Sequence, residues 1–404
     1  MLPLERILKS SIIIRLFAPI LILSSSAAMC SETDHSMIME SYRERAESTP
    51  PGREKDEKLG IYYLTLAGEQ INQRKYSDAL EALDSAEKHG ADRKVISYYR
   101  GASYFYLSRT YEAERELESI AYEGTVNAAA LSILGKIYYD RGDLWLAIER
   151  WEKAVVLKPG DHELAELLSK VKKESKAEEK MGSAYSGKFL VKYDGEKSET
   201  AGSIVISILE DAYYYAGTDL DFYPDSDIHV IIYAKKDFKE VTALPDWAGG
   251  VYDGKIRVPS GGLKEATEEL KGLLYHEYTH ALVNLIAGGR APLWLNEGLA
   301  VYEERKAGFN TLGSRRGIRP EGKIDWRTID MDFSSQNAEK AGMAYETSFS
   351  FINHIAEDYG IFKLAELLRA IKKGHSVEES FKKVFSEFDM DLASLEKEWA
   401  ESFQ

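Results

Sequence analysis

His276-Glu277-Tyr278-Thr279-His280 constrains this chain more than any other stretch of it. Apolar residues around it recur at helical spacing: Leu270, Leu273, Leu274, Tyr278, Leu282 and Leu285. Glu265, Glu268 and Glu269 open the segment and Gly288-Gly289 closes it, so the pattern predicts a helix over Lys264–Ala287. On a helix, positions 276 and 280 lie one turn apart and present two imidazoles on one face. Pro292 suits the first turn of a second helix, predicted over Leu293–Arg305. The short connection between the two helices turns Asn296-Glu297-Gly298 back toward the histidines.

Two imidazoles and a carboxylate form a three-ligand set for Zn²⁺ that leaves one coordination position open, as catalytic sites do and closed structural sites do not. Glu277, between the histidines, suits a general base and is not itself a ligand in this scheme. The plainer alternative is a buried helical hairpin whose histidines are satisfied core residues. Two His at i and i+4, a Glu between them and an Asn-Glu-Gly on the next helix favour the metal.

His-Glu-x-x-His followed by Trp294-Leu295-Asn296-Glu297-Gly298-Leu299-Ala300 resembles the gluzincin metallopeptidases, and in particular the peptidase MA-like family, over roughly residues 186–404. The resemblance implies an α+β zincin-like domain, with His276, His280 and Glu297 as zinc ligands and Glu277 as the base. Residues 281–296 separate the second His from the third ligand, a gap slightly shorter than in aminopeptidase N-type gluzincins. Thermolysin-type enzymes carry an Asp four residues past the third ligand, where Val301 stands here. The family also has a Tyr that stabilises the oxyanion, and Tyr345 is the match, at the start of a helix predicted over Ala344–Tyr359 with Gly360 as its cap. A helix-packing aromatic is the other reading of Tyr345, and His354 reads as a core or solvated histidine.

Upstream, Trp247–Pro259 reads as β structure with a turn at Asp253-Gly254. In gluzincins the strand before the zinc helix borders the cleft and pairs with substrate backbone. By that resemblance Gly249, Gly250 and Val251 become substrate-binding candidates, with the glycines allowing close backbone approach, and a plain surface hairpin remains the alternative. Related aminopeptidases carry a Glu here that holds the substrate's free amine. Gly249-Gly250-Val251-Tyr252-Asp253 has none, which leans toward an endopeptidase.

The front half repeats with a period of 34. Ala67, Gly101 and Gly135 fall in register, as do Ala79, Ala113 and Ala147, then Leu83, Leu117 and Trp151, then Ala86, Ile120 and Ala154. This resembles the tetratricopeptide repeat, in which small residues let paired helices approach, and Asp161–Lys173 would cap the stack. The resemblance implies a groove for a protein partner, and a purely buttressing role is the alternative. Tyr98, Tyr99, Tyr104 and Tyr106 read mostly as packing between helices.

Residues 1–29 read as a signal peptide: Arg6, Lys9 and Arg15 precede the apolar run Leu16–Leu23, and Ser24–Ala28 supplies small residues for cleavage. Cys30, the single cysteine, suits lipid acylation of a bacterial lipoprotein, although Met29 stands where a small residue is usual; cleavage after Ala28 is the competing reading. Residues 30–58 read as a flexible tether, 59–175 as the tetratricopeptide solenoid, 176–187 as a linker and 188–404 as the metallopeptidase domain. Within the last, Phe189–Tyr193 and His229–Tyr233 read as strands and Ser203–Ala216 as a helix. A net charge of −15 argues against nucleic acid or an anionic membrane surface as partner and leaves membrane contact to the lipid on Cys30. The sequence thus points to an exported zinc peptidase of the bacterial periplasm or cell envelope acting on a peptide or protein. The rival is a tetratricopeptide-based binding protein of the envelope with a non-proteolytic zinc domain.

Overall fold

The structure, a computed structural model, describes residues 40–41, 43–122, 127–193, 199–242, 250–259, 265–308, 318, 324–333, 335 and 337–403. The expected signal peptide and Cys30 lie outside the described residues. Among the described residues no helix is long and apolar enough to cross a membrane. The chain divides into two compact units, with the boundary between Lys172 and Lys173.

The first unit is helical. Helices α1 (Arg53–Asn72) and α2 (Tyr76–Lys88), α3 (Arg93–Tyr106) and α4 (Thr110–Glu118), and α5 (Asn127–Asp140) and α6 (Leu144–Leu157) pack as successive pairs, followed by α7 (His162–Glu178), whose residues from Lys173 on, Glu174 among them, belong to the second unit. The 34-residue period has a physical basis in these contacts. A Cβ on Gly101 would lie 2.5 Å from Leu117 Cγ, and one on Gly135 would lie 2.4 Å from Trp151 Nε1. The same small-to-large contact recurs at equivalent positions of successive pairs, and Ala79, Ala113 and Ala147 are fully buried beside it. Tyr98 is buried and Tyr106 stacks on Tyr76 with ring centroids 4.8 Å apart. Among the described residues the expected tether is helical at 40–41 and 43–47, with Ala46 fully buried, and again over its last six residues, where α1 begins at Arg53. Charged residues there form i,i+4 pairs, Arg53 with Glu57 and Lys58 with Glu54, which support a helix.

The second unit builds a five-stranded sheet from β1 (Gly182–Ser186), β2 (Phe189–Tyr193), β3 (Ile228–Tyr233), β4 (Val251–Tyr252) and β5 (Ile256–Pro259), in the order β1-β2-β3-β5-β4. The β2–β3 and β3–β5 pairs are parallel and the two edge pairs antiparallel. Strand β1 occupies residues expected to be a linker. Gly-Ser-Ala-Tyr-Ser carries little apolar signal because an edge strand with exposed side chains needs little. The turn at Asp253-Gly254 closes the β4–β5 hairpin, with Gly254 at φ 99°, where a glycine is required.

One sheet face, with Val191, Val230, Ile232, Ile256 and Val258, joins the main core with α8 (Glu199–Asp219) and α10 (Glu268–Ala287); α9 (Lys235–Thr242) packs against β3 and β5. Helix α10 starts four residues later than expected, where the Thr267 side chain accepts from Leu270 N–H, and stops at left-handed Gly288, φ 61°. It is buried on several sides, between α8, α11 (Leu293–Lys306) and α14 (Phe362–Lys372). Helix α13 (Ala338–Asp358) begins six residues before the expected start, capped by Asn337, and seats α11 closely. Between them lie α12 (Trp326–Asp332) and a cluster in which the Trp294 and Trp326 rings stack at 4.1 Å. Helices α15 (Val377–Val384) and α16 (Leu392–Glu401) add Phe381 and Trp399 to it.

Gly298 sets the α11–α13 separation: a Cβ there would lie 2.9 Å from Ser348 O and 2.8 Å from Ile352 Cγ1. The backbone oxygen cannot step aside. Gly298→Ala should therefore destabilise the second unit by about 1–3 kcal/mol, read as a lower urea midpoint at unchanged m-value. An unchanged midpoint would mean that the two helices separate freely.

Candidate metal centre

Helix α10 carries His276 and His280 on one face, their rings edge-to-face with centroids 4.6 Å apart. The turn after Gly288 brings α11 back alongside, and Glu297, on its second turn, meets both. Glu297 Oε2 lies 3.4 Å from His276 Nε2 and 3.5 Å from His280 Nε2. The three ligand atoms all fall within 4.8 Å of one another.

The far side of each ring is held. His276 Nδ1 donates to Glu304 Oε2 at 3.2 Å, and His280 Nδ1 to Asn296 Oδ1 at 3.0 Å. A carboxylate only accepts, so His276 Nδ1 carries a proton, which leaves Nε2 as the nitrogen that a metal would take. Such outer partners fix both ring orientation and tautomer. Glu297 Oε2 is buried with no hydrogen-bond donor, an oxygen whose surroundings call for a cation. The two separations from Glu297 are close to the edge, about 3.3–3.4 Å, of a tetrahedron with arms of about 2.0–2.1 Å, the size zinc requires. The residues present fit a metal ion.

Charges follow the same arrangement. Burial disfavours the charged form of His276, but the carboxylates of Glu297 and Glu304 outweigh it and push the imidazole up to about 10. Burial lowers His280. Burial also acts to raise Glu297, yet the two imidazoles prevail and hold it below its usual value. Glu277 is buried and outside the ligand triad. Burial pushes it up to about 7, with Glu297 adding to the effect while His276 and a hydrogen bond from the Tyr252 backbone N–H oppose it.

Tyr345, on α13, packs edge-to-face on Phe333 at 4.8 Å. The negative charge of Glu297, then burial, then Glu277 and Glu304 raise its pKa, so the phenol stays protonated within their electrostatic reach. Tyr252 ties β4, with Val251, to Glu277; Gly250 precedes that strand, and Gly249 lies outside the described residues. His354 is buried, with Nδ1 2.8 Å from Asp358 Oδ2. The orienting pair Asn296 and Glu304 was not singled out from the sequence. The signal for Glu304 was its place seven residues past Glu297, two turns along the same face.

Residues 217–404 match the Peptidase MA superfamily. The matched span holds the complete triad, Glu277, Glu304 and Tyr345, and with their geometry it supports a zincin-like peptidase domain. Strands β1 and β2 precede the matched span. No curated protein matches the chain.

On another side of α11, buried Glu303 faces Asp219, which is paired with Lys306. Burial, then the Asp219 carboxylate, raises the Glu303 pKa well above the ordinary carboxylate range. A group raised in the folded state stabilises at low pH, and that contribution is lost as pH climbs through the raised value. Stability of the metal-free protein should fall between roughly pH 5 and 9, and fall less in Glu303→Gln, in urea titrations at each pH. For the triad, Glu304→Gln should weaken zinc binding by about 10- to 100-fold in chelator competition. Unchanged affinity would show that His276 is oriented without it.

Proposed function

We propose that the chain is an exported zinc-dependent peptidase that hydrolyses peptide bonds in a peptide or protein substrate. The observation that carries this reading is the convergence of His276 Nε2, His280 Nε2 and Glu297 Oε2, with the Glu277 carboxyl held beside them outside the triad. His276, His280 and Glu297 would hold Zn²⁺, which when bound would supply Lewis acidity to polarise the scissile carbonyl and acidify water. Glu277 takes the proton of the attacking water and returns it to the leaving amine, a role suited to a carboxyl poised near neutrality. Tyr345, kept protonated, donates to the developing oxyanion. The edge strand at Gly250-Val251 aligns the substrate backbone, with Gly249 before it, and the lack of a Glu over residues 249–253 favours internal cleavage over removal of single N-terminal residues.

In the same reading the paired helices of the first unit are tetratricopeptide units, supported by the small-to-large contact that recurs every 34 residues, at Gly101–Leu117 and Gly135–Trp151. They offer a groove to a protein partner. Export follows from the charged and apolar pattern of residues 1–29, and a lipid on Cys30 would hold the protein at the bacterial cell envelope.

Glu277→Gln separates metal binding from chemistry. The variant should keep about one zinc per chain by elemental analysis and lose roughly 10²- to 10⁴-fold in turnover of a peptide library. Hydrolysis at the wild-type rate would remove Glu277 as the base.

A further inference from the structure

The sheet face opposite the main core sets buried charges beside a small apolar cluster of Ile231, Tyr233, Phe238 and Val241. Lys255, just before β5, and Arg257, on it, have side chains 2% and 0% exposed. Both reach Glu174 near the end of α7: Lys255 Nζ at 2.6 Å from Oε1 and Arg257 Nη2 at 3.0 Å from Oε2. Arg257 also donates to Asp253 Oδ1, at 2.9 Å from Nε, and to Tyr233 Oη, at 2.6 Å from Nη1. Burial works against ionised Glu174, but Arg257 and then Lys255 outweigh it and keep its pKa low.

Buried ion pairs are weak contributors to stability, since apolar residues of similar volume often serve as well. They do fix geometry, because a forked guanidinium accepts few placements. The geometry fixed here is that of a short hairpin, whose Val251 and Tyr252 also pack against the apolar clusters on the two sides of the sheet. Strand β4 is two residues long, at the sheet edge, and joined to β5 by two residue pairs. Asp253, clamped by Arg257, directly follows Tyr252, whose backbone N–H donates to Glu277. The Tyr252 ring also returns to α10, with its hydroxyl 3.4 Å from Asn284 Nδ2.

We infer that Glu174, Arg257 and Asp253 are positioning residues for Glu277: their buried ion cluster holds the β4–β5 hairpin where the Tyr252 N–H meets the Glu277 carboxylate. The catalytic part of this inference rests on the proposed peptidase reading; the anchoring part does not. Asp253→Ala releases the turn while leaving Arg257 on Glu174, and Asp253→Asn keeps an oxygen for the Arg257 Nε–H and serves as the rescue.

Amide hydrogen exchange tests the anchoring in the full chain without any activity. Asp253→Ala should exchange the Tyr252 amide roughly tenfold faster, with β2 and β3 unchanged, and Asp253→Asn should restore protection. Unchanged protection in Asp253→Ala overturns the inference, whatever the chain hydrolyses. Where wild-type hydrolysis is measured, Asp253→Ala should lower kcat by roughly 10- to 100-fold at unchanged zinc content, and add no loss in a Glu277→Asp background. Loosened exchange with unchanged kcat, or equal losses in both backgrounds, overturns the positioning role. No hydrolysis by the wild type fails the peptidase reading alone, and exchange then decides the anchoring.

Discussion

The second unit depends on how closely α11 can lie beside α10 and α13. Glu297 reaches the two histidines only because Gly298, the next residue, has no side chain to hold α11 away from the Ser348 carbonyl. Trp294, Leu295 and Leu299 on the same helix are buried in the main core, so the helix carrying the third ligand is locked by apolar packing on both sides of it. That packing offsets an electrostatic cost. Two imidazoles and a carboxylate converge, and one carboxylate oxygen is buried with no donor, which is unfavourable unless a charge compensates it. The fold holds the donor set in place, and a bound cation would remove the cost.

Local pattern made the most of what the sequence disclosed. The two helices of the site have strong 3.6-residue periodicity and clear stop signals, and both were legible to within four residues at either end. The repeat in the first unit was legible because steric contacts recur at a fixed interval, and a small residue facing a large one leaves a trace in each copy. Strand β1 was not legible, since a half-exposed edge strand needs no run of apolar residues. Glu304 and Asn296 were missed for a different reason. An orienting residue is ordinary in type and becomes functional only through the ring it faces.

Lys255, Arg257 and Glu174 mark the limit of such reading. A sequence rule places Lys, Arg and Glu in water, and these three are buried. Their pairing spans 81 and 83 residues of chain, from the end of one helix to the edge hairpin of the sheet. No local window contains both partners. The hairpin read either as a cleft-edge strand or as a plain surface hairpin, and its buried anchor was visible in neither reading.

Glu277 and Glu297 show how one residue type is divided between two roles by surroundings alone. Both are shielded from water, and for each burial is the largest influence and favours the neutral acid. Glu297 sits between two imidazoles, whose positive potential reverses the effect and keeps it an anion, as a ligand must be. Glu277 has His276 on one side and the negative Glu297 on the other, so burial prevails and its pKa rises to about 7. A carboxyl at that value can accept a proton and give it back within one cycle, whereas a ligand that did so would release its metal. The residue between two histidines on one helix face and the residue opposite them on the next helix thus acquire different chemistry from geometry, without any difference in their side chains.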